Sequence, residues 1–337
     1  MAAGCAVAIV AVTAACSSTH GAPAAAPSVR ANATAGASDT SGASSTSGAG
    51  DTSAASSTSA ASSTSGSGST SGSGSAAVGY WTRERLLEAR PLRQWALPAS
   101  AQASLSASPA ASPGATPSAH EPLLPAPRVG ALFAHTASGN HFCTASVVDS
   151  PGHDLLITAA HCIDGGKKGG YNTDIVFVPD YENGSTPFGV WTVRKLLVDP
   201  HWASSSDPDY DVGFVVLQPN DGKNIEDILG ANKLKFNASF SNLVRVTGYP
   251  SSTNAPVTCK NWTKEQSASQ LRFDCHGFYG GTSGSPWITG FDPRTRTGMI
   301  VGIIGGYQEG GDTDAISYSV YLNDNIRALY EQAAGLD

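Results

Sequence analysis

Three short segments of the sequence carry side chains that together could perform nucleophilic catalysis. His161 follows an apolar run in Thr-Ala-Ala-His-Cys, Asp211 directly precedes another apolar run, and Ser283 lies in the glycine-rich stretch Gly-Gly-Thr-Ser-Gly-Ser-Pro. A serine hydroxyl is a poor nucleophile at neutral pH and needs a base such as His161 to accept its proton. A buried carboxylate such as Asp211 can hold the imidazole in one tautomer by accepting from its other ring nitrogen.

The serine segment could also stabilise the negative charge that develops on a reacting carbonyl oxygen. Gly281 lets the backbone turn so that the N–H groups of Gly281 and Ser283 point at one spot. Taken singly, each signal also fits a surface histidine, a strand-flanking aspartate or an ordinary loop. The order His, Asp, Ser along the chain favours a catalytic triad, because two other triad architectures use the orders Asp, His, Ser and Ser, Asp, His. The G-x-S-x-G motif around the nucleophile, which accompanies the order Ser, Asp, His, is absent here, because Ser285 occupies the position of its last glycine.

On these motifs the chain resembles the chymotrypsin-fold serine peptidases. Thr-Ala-Ala-His-Cys and Gly-Thr-Ser-Gly-Ser-Pro are highly specific motifs of that family, and the similarity spans residues 129–337. Gly-Ser-Pro after the serine and the C-terminal stretch 318–330 are typical of bacterial secreted members related to glutamyl endopeptidases. The resemblance implies an all-β fold of two six-stranded antiparallel β-barrels with the active site between them. It assigns His161 and Asp211 to the first barrel and Ser283 to the second.

The resemblance implies an exported serine endopeptidase that hydrolyses peptide bonds through an acyl-enzyme intermediate. Its partner would be a peptide or protein substrate, and neither a cofactor nor a metal is expected. A catalytically silent binding module on the same fold is one alternative, and an esterase that uses the same triad is another. The intact motifs argue against the silent module, because loss of a triad residue would have indicated it.

Two positions depart from the family pattern. Thr282 stands where animal digestive members carry the aspartate that pairs with the new N-terminus, so that activation switch is not expected here. Ile304 stands where glutamyl endopeptidases carry a carboxylate-binding histidine, which argues against glutamate specificity. The predicted specificity pocket comprises Phe278, Tyr279, Ile304, Gly305 and Gly306. The two segments that contain these residues, 277–280 and 304–307, carry no charged side chain, so we expect a preference for uncharged, apolar residues at the cleaved bond.

The apolar pattern of residues 129–337 independently predicts an all-β domain. Short runs rich in branched and aromatic residues alternate with Gly, Asn and Asp turns, as in a sandwich or barrel. The predicted strands are 129–134, 142–148, 155–158, 175–178, 190–198, 212–217, 243–248, 270–275, 299–304 and 316–322. One helix is predicted at the C-terminus, capped by Asn323 or Asp324, with Ile326, Leu329, Tyr330 and Ala333 at helical spacing.

Four of the six cysteines fall in this domain. An even number in an exported domain favours disulfides, and proximity in the sequence suggests Cys143–Cys162 and Cys259–Cys275. The resemblance also supports Cys143–Cys162 as the disulfide beside the catalytic histidine. Zinc is the weaker alternative, because the chain lacks a C-x-x-C pair and an H-x-x-x-H pair.

Residues 1–128 differ sharply in composition from the domain. Residues 1–16 predict a signal peptide, and small residues before Cys16 resemble a bacterial lipoprotein signal in which that cysteine is lipidated; a plain secretion signal is the alternative. Residues 17–78 are rich in Ala, Ser, Thr and Gly and predict a disordered linker. Residues 79–128 predict a short helix capped by Thr82, then a Pro/Ala/Ser linker. This segment is interpreted as a pro-segment or strap, with an inert spacer as the alternative.

The charge balance excludes some classes of partner. The chain has 337 residues and a net charge of −7, so it lacks the basic excess of a nucleic-acid binder. Its one long apolar run, near the N-terminus, is too short to span a membrane, so membrane attachment would come only through a lipid anchor. We expect a monomer outside the cell, either secreted or tethered to the outer face of the membrane.

Overall fold

The computed structural model describes residues 68–69, 74–92, 116–120 and 125–336. The predicted export signal at 1–16, the proposed lipidation site Cys16 and most of the predicted linker 17–78 lie outside the described residues. Among the described residues, no helix combines the length and the hydropathy needed to cross a membrane.

The described chain is mostly β-structure. Its strands are β1 (Gly68–Ser69), β2 (Arg90–Pro91), β3 (Val129–Thr136), β4 (Gly139–Val148), β5 (Leu155–Thr158), β6 (Thr173–Pro179), β7 (Trp191–Val198), β8 (Gly213–Leu217), β9 (Lys233–Leu234), β10 (Leu243–Gly248), β11 (Val257–Ser267), β12 (Gln270–Asp274), β13 (Pro286–Asp292), β14 (Thr297–Ile303) and β15 (Ile316–Val320). Its α-helices are α1 (Gly74–Tyr80), α2 (Arg83–Glu88), α3 (Pro200–Ser205), α4 (Ile225–Leu229) and α5 (Asp324–Ala334).

Strands β3 to β8 form a closed antiparallel barrel, called here the first barrel. Their order is β7-β6-β3-β4-β5-β8, and β8 pairs back with β7 to close it. All residues of β5 and β8 are buried, so both faces of these two strands are covered. Closure leaves no unpaired edge between the first and last strands.

Strands β10 to β15 form the second sheet, in the order β15-β12-β11-β10-β13-β14, with β9 added beside β14. In β10, buried Val244 and Val246 alternate with partly exposed Leu243 and Arg245, as expected of a half-buried strand, and the last two residues of the strand are buried as well. The Gly305 N–H donates to the Tyr318 carbonyl at 3.0 Å and links the chain after β14 to β15. The fold is thus the mostly β, chymotrypsin-like arrangement that the sequence predicted.

Helix α5 closes the domain by returning to the first barrel. The Asn323 side chain caps it by accepting from the N–H groups of Asn325 and Ile326, as predicted. Ile326, Leu329 and Ala333 are buried, and the Tyr330 ring lies 5.9 Å from the Phe214 ring of β8.

Residues 74–92, called here the strap, pack on the first barrel. Thr82 caps α2 by accepting from the Arg85 N–H, as predicted, whereas α1 begins inside the segment predicted as linker. Trp81 and Leu86 are buried in a cluster with Phe133. Strand β2 then pairs in parallel with β4.

The described residues 116–120 lie inside the segment predicted as a Pro/Ala/Ser linker. Ser118 and His120 form isolated bridges with His276 and Thr258, so this short segment adds to the second sheet.

Candidate active site

His161 and Asp211 are positioned by neighbouring strands of the first barrel. Strand β5 ends at Thr158 and runs into a 3-10 turn, Ala160–Cys162, which carries His161. Asp211 follows another 3-10 turn, Pro208–Tyr210, and lies two residues before the start of β8. Because Thr158 of β5 pairs with Gly213 of β8, the two turns emerge side by side at one end of the barrel.

Asp211 is fully buried and its carboxylate faces three N–H donors. Oδ2 lies 2.8 Å from His161 Nδ1 and 2.9 Å from the Gly306 nitrogen, and Oδ1 lies 2.9 Å from the His161 backbone nitrogen. A buried carboxylate requires such partners to offset the loss of water. A neutral imidazole that donates from Nδ1 carries its lone pair on Nε2, so this arrangement orients His161 as a base.

Ser283 lies in a loop that the first barrel holds in place. The Thr144 N–H of β4 donates to the Ser283 carbonyl at 2.8 Å, and the Gly284 N–H donates to the Ile304 carbonyl at 2.7 Å. The Ser285 hydroxyl is buried and donates to the Thr282 carbonyl at 2.6 Å. The loop is therefore fixed on both sides of the serine, while Ser283 itself stays partly exposed.

Glycine is required at Gly284, beside the serine. Its φ is +85°, and a Cβ there would collide with the Thr144 carbonyl and the Thr158 hydroxyl. Thr158 lies three residues before His161, and its hydroxyl donates to the Thr144 carbonyl at 2.8 Å. The close fit of Gly284 against Thr144 and Thr158 brings the serine loop to the end of the barrel that carries His161.

A side chain is also sterically excluded at Gly281. Its φ is +97°, and a Cβ would meet the Phe142 ring and the Tyr249 carbonyl. The Gly281 carbonyl accepts from the Thr144 hydroxyl at 3.1 Å. This bond fixes the orientation of the peptide that follows Gly281.

A family model described as Trypsin matches residues 127–323, more than half of the chain. The chain belongs to the trypsin family. It is a trypsin-like serine endopeptidase, as the resemblance of its motifs predicted.

Solved structures of similar fold agree with this assignment. The protease Anisep from Arthrobacter nicotinovorans is 28% identical, with a TM-score of 0.57 over 62% of this chain and 96% of that one. The thermostable serine protease AL20 from an extremophilic microorganism is 25% identical, with a TM-score of 0.58 over 63% of this chain and 99% of that one. A Glu endopeptidase at 13% identity and a TM-score of 0.51, covering 65% of this chain and 97% of that one, shares the fold. Among curated proteins, none matches the chain.

A small pocket of about 10 Å³ adjoins Ser283 in this trypsin-family chain. Two residues predicted for the pocket, Phe278 and Ile304, line it, and both are almost fully buried. The rest of its lining comprises Gly280, Thr282, Ser283, Glu309, Gly310, Gly311, Thr313 and Ser317. The buried apolar side chains leave this pocket with room for about one water molecule.

Three other residues predicted for the pocket lie beside it. Gly305 and Gly306 face Asp211, because a Cβ on Gly305 would stand 3.0 Å from the Asp211 carbonyl and the Gly306 N–H binds the carboxylate. Burial and the nearby Asp314 raise the pKa of Tyr279, whose carbonyl accepts from the Thr282 hydroxyl at 2.9 Å.

Sequence reasoning missed Glu309. It lies in a turn where Gln308 and Glu309 both have positive φ, +54° and +49°. Left-handed backbone at two consecutive non-glycine residues turns the chain back toward the pocket, and no sequence pattern indicates such a turn.

A larger cavity of about 660 Å³ lies around His161. Its walls include the turn between β3 and β4, the segment after the histidine turn, and Trp202, whose ring lies 6.4 Å from the His161 ring. Leu92 of the strap and Glu309 also line it. Burial raises the pKa of Asp164 in this wall, although a hydrogen bond from the Gly166 N–H acts in the opposite direction.

Both predicted disulfides are present, Cys143–Cys162 and Cys259–Cys275. The first ties β4 to the turn that carries His161. Cys143, Cys162 and His161 are close enough to suggest a metal site, but sulfur atoms joined in a disulfide are not thiolate ligands. The disulfides and the fold are consistent with an extracellular location.

Proposed function

We propose that this chain is an exported serine endopeptidase whose triad is His161, Asp211 and Ser283. The observation that carries the proposal is the fully buried Asp211 carboxylate, which binds both the ring and the backbone of His161 at the point where the serine loop docks. This is the arrangement that a general base requires when it activates a neighbouring hydroxyl.

The proposed reaction has two halves. The Ser283 oxygen attacks the carbonyl carbon of the scissile peptide bond while His161 Nε2 takes the hydroxyl proton. The N–H groups of Gly281 and Ser283 stabilise the oxyanion, and His161 then protonates the leaving amine, which releases it and forms the acyl-enzyme. Water, deprotonated by His161, attacks the ester carbonyl and releases the acid with Ser283 restored. Asp211 stabilises the imidazolium in both halves.

Replacing the nucleophile tests this proposal. Ser283→Ala is expected to lower kcat for peptide hydrolysis by at least about 10⁴-fold, because no other group forms the acyl-enzyme. The matched control is Ser251→Ala, an exposed serine whose backbone N–H binds the Gly280 carbonyl of the same region. A folded Ser283→Ala protein that cleaves casein as fast as the parent protein would refute the triad. Activity on short-chain esters without activity on casein would favour the esterase.

The small pocket beside Ser283 favours a short, uncharged side chain at the cleaved bond. Phe278 and Ile304 line it and are almost fully buried, and a substrate glutamate would enter a pocket that Glu309 also lines. In a matched peptide series, kcat/KM for Ala is expected to exceed that for Phe and Glu by about tenfold or more. Ile304→Ala should shift the preference toward Phe, since it enlarges the pocket. A dominant rate for Lys would instead show that Glu309 acts as a counter-charge.

The proposed route outside the cell depends on residues 1–16, with Cys16 as the lipidation site and the part of the predicted linker 17–78 that precedes the strap as a tether. If so, the mature protein partitions into detergent, and Cys16→Ala releases it into the medium. A mature N-terminus downstream of Cys16 would exclude the anchor and leave plain secretion.

A further inference from the structure

The strap is anchored on the first barrel by apolar packing and hydrogen bonds. The Trp81 ring lies 5.3 Å from the Phe133 ring, and Trp81 and Leu86 are each only 4% exposed. The Tyr80 hydroxyl donates to the Asn140 side chain at 2.7 Å. These contacts fix where the following residues, Arg90 to Leu92, meet β4.

The end of the strap and the serine loop occupy the same edge of β4. Along a strand, residues two apart direct their N–H and C=O groups to the same side, so Phe142 and Thr144 share one edge. Thr144 uses it to bind the Ser283 carbonyl, and the Phe142 carbonyl accepts from the Leu92 N–H at 3.4 Å. Only Cys143 lies between the two residues that make these bonds, so Leu92 and the serine loop are close neighbours along this edge.

The strap lies on the side of the serine away from the small pocket. The described lining of that pocket includes no residue of β4 or of the strap. Phe142 instead packs against Gly281, and Leu92 lines the larger cavity together with His161. If the pocket holds the side chain of the acyl half of the substrate, the Leu92 side is where the leaving chain must run.

Resting on the proposed triad, we propose that the strap caps the β4 edge on the leaving-group side and thereby selects substrates with a short leaving group. An extended peptide binds a protease by adding its main chain to an exposed sheet edge. Here the strap already uses the Phe142 carbonyl. A long chain after the scissile bond must therefore displace Arg90 to Leu92 or bind without main-chain pairing.

Weakening the strap in the full-length protein tests this role. The variant is Trp81→Ala, and the matched control is Val78→Ala, an exposed residue of α1. Two substrates share the same acyl residues: a p-nitroanilide, and a quenched fluorescent peptide with several residues after the scissile bond. For Trp81→Ala we expect kcat/KM on the long peptide to rise at least about tenfold, with the p-nitroanilide rate unchanged within about twofold. Hydrogen exchange at residues 83–92 reports whether the strap is released.

The outcomes separate this inference from the proposed function. The proposed role of the strap would be overturned if hydrogen exchange shows that the strap is released but neither rate changes, or if both rates rise by the same factor. If Trp81→Ala does not fold, Leu86→Ala is measured with the same two substrates and the same hydrogen-exchange readout. Activity on either substrate that survives Ser283→Ala would contradict the triad instead, whatever the strap does.

Discussion

The first barrel and the second sheet contribute to the site in different ways. The barrel is closed by pairing of β7 with β8, and both β5 and β8 are fully buried. Strand β5 leads into the turn of His161, and the turn of Asp211 leads into β8. In the second sheet, β14 and β15 are linked through the bond between the Gly305 N–H and the Tyr318 carbonyl. The barrel therefore fixes the base and its carboxylate through continuous strand pairing.

The second sheet supplies the serine and the pocket through turns rather than strands. Gly281 and Gly284 have positive φ and lie against the barrel with no space for a side chain. Positive φ also sets the turn that carries Glu309. The comparison teaches that strand pairing fixes the catalytic pair, whereas close backbone contacts against the barrel position the nucleophile and the pocket.

Among the changes that test this comparison, the largest effect is expected from breaking the His161–Asp211 pair in the barrel. Asp211→Asn should lower kcat by about 10³–10⁴-fold with the fold retained, because an amide does not hold His161 in the required tautomer. The control is Asp209→Asn, whose carboxylate binds the Gln270 side chain rather than His161. Steady-state kinetics with circular dichroism as the folding check would measure this. A loss of under about tenfold would mean that the barrel does not orient the base through Asp211.

A smaller loss of activity is expected when the contact between the serine loop and the first barrel is disturbed. Gly284→Ala puts a Cβ against the Thr144 carbonyl and should cost about 2–4 kcal/mol of stability, with reduced kcat from a displaced serine. Gly222→Ala is the matched control, because Gly222 also has positive φ, +73°, but has open space around it. Denaturant unfolding and kcat measure both effects. Equal costs for the two variants would show that backbone strain alone, and not docking, explains the glycine at 284.

The two disulfides should differ in their effect on catalysis more than on stability. They close loops with sequence separations of 19 and 16, so removing either should cost about 3 kcal/mol. The paired variant Cys143→Ala/Cys162→Ala should also lower kcat, because that disulfide pins the His161 turn. Cys259→Ala/Cys275→Ala should leave kcat within about threefold under conditions where it remains folded. The reverse pattern would contradict the division of roles between the first barrel and the second sheet.

The sequence was informative where apolar patterning and short motifs coincide. The runs around Leu155–Thr158 and Gly213–Leu217 predicted buried strands, and the cap at Asn323 predicted the last helix. Strand β11 was missed. Most of Val257–Ser267 is exposed or half-buried, so its residues form neither an apolar run nor a clear alternation. Its pairing with β10 and β12 depends on tertiary contacts.

The site was predicted in its chemistry but only partly in its shape. The order of the motifs along the chain predicted a triad of His161, Asp211 and Ser283, and the proximity of the cysteines in the sequence suggested the disulfides. The placement of Gly305 and Gly306 beside Asp211, of Glu309 at the pocket, and of Leu92 near the serine loop depends on turns and long-range packing. These contacts join segments far apart in the chain, and residue types alone do not encode them.

Covalent capture of the nucleophile tests the central claim most directly. The full-length protein would be treated with a fluorophosphonate, digested, and mapped by mass spectrometry. The account predicts a single phosphonylated serine, Ser283, with labelling at least about 10³-fold slower in Asp211→Asn and absent in Ser283→Ala. An active protein that is labelled at another serine, or that keeps its activity after Ser283→Ala, would contradict the assignment of Ser283 as the nucleophile held against the first barrel.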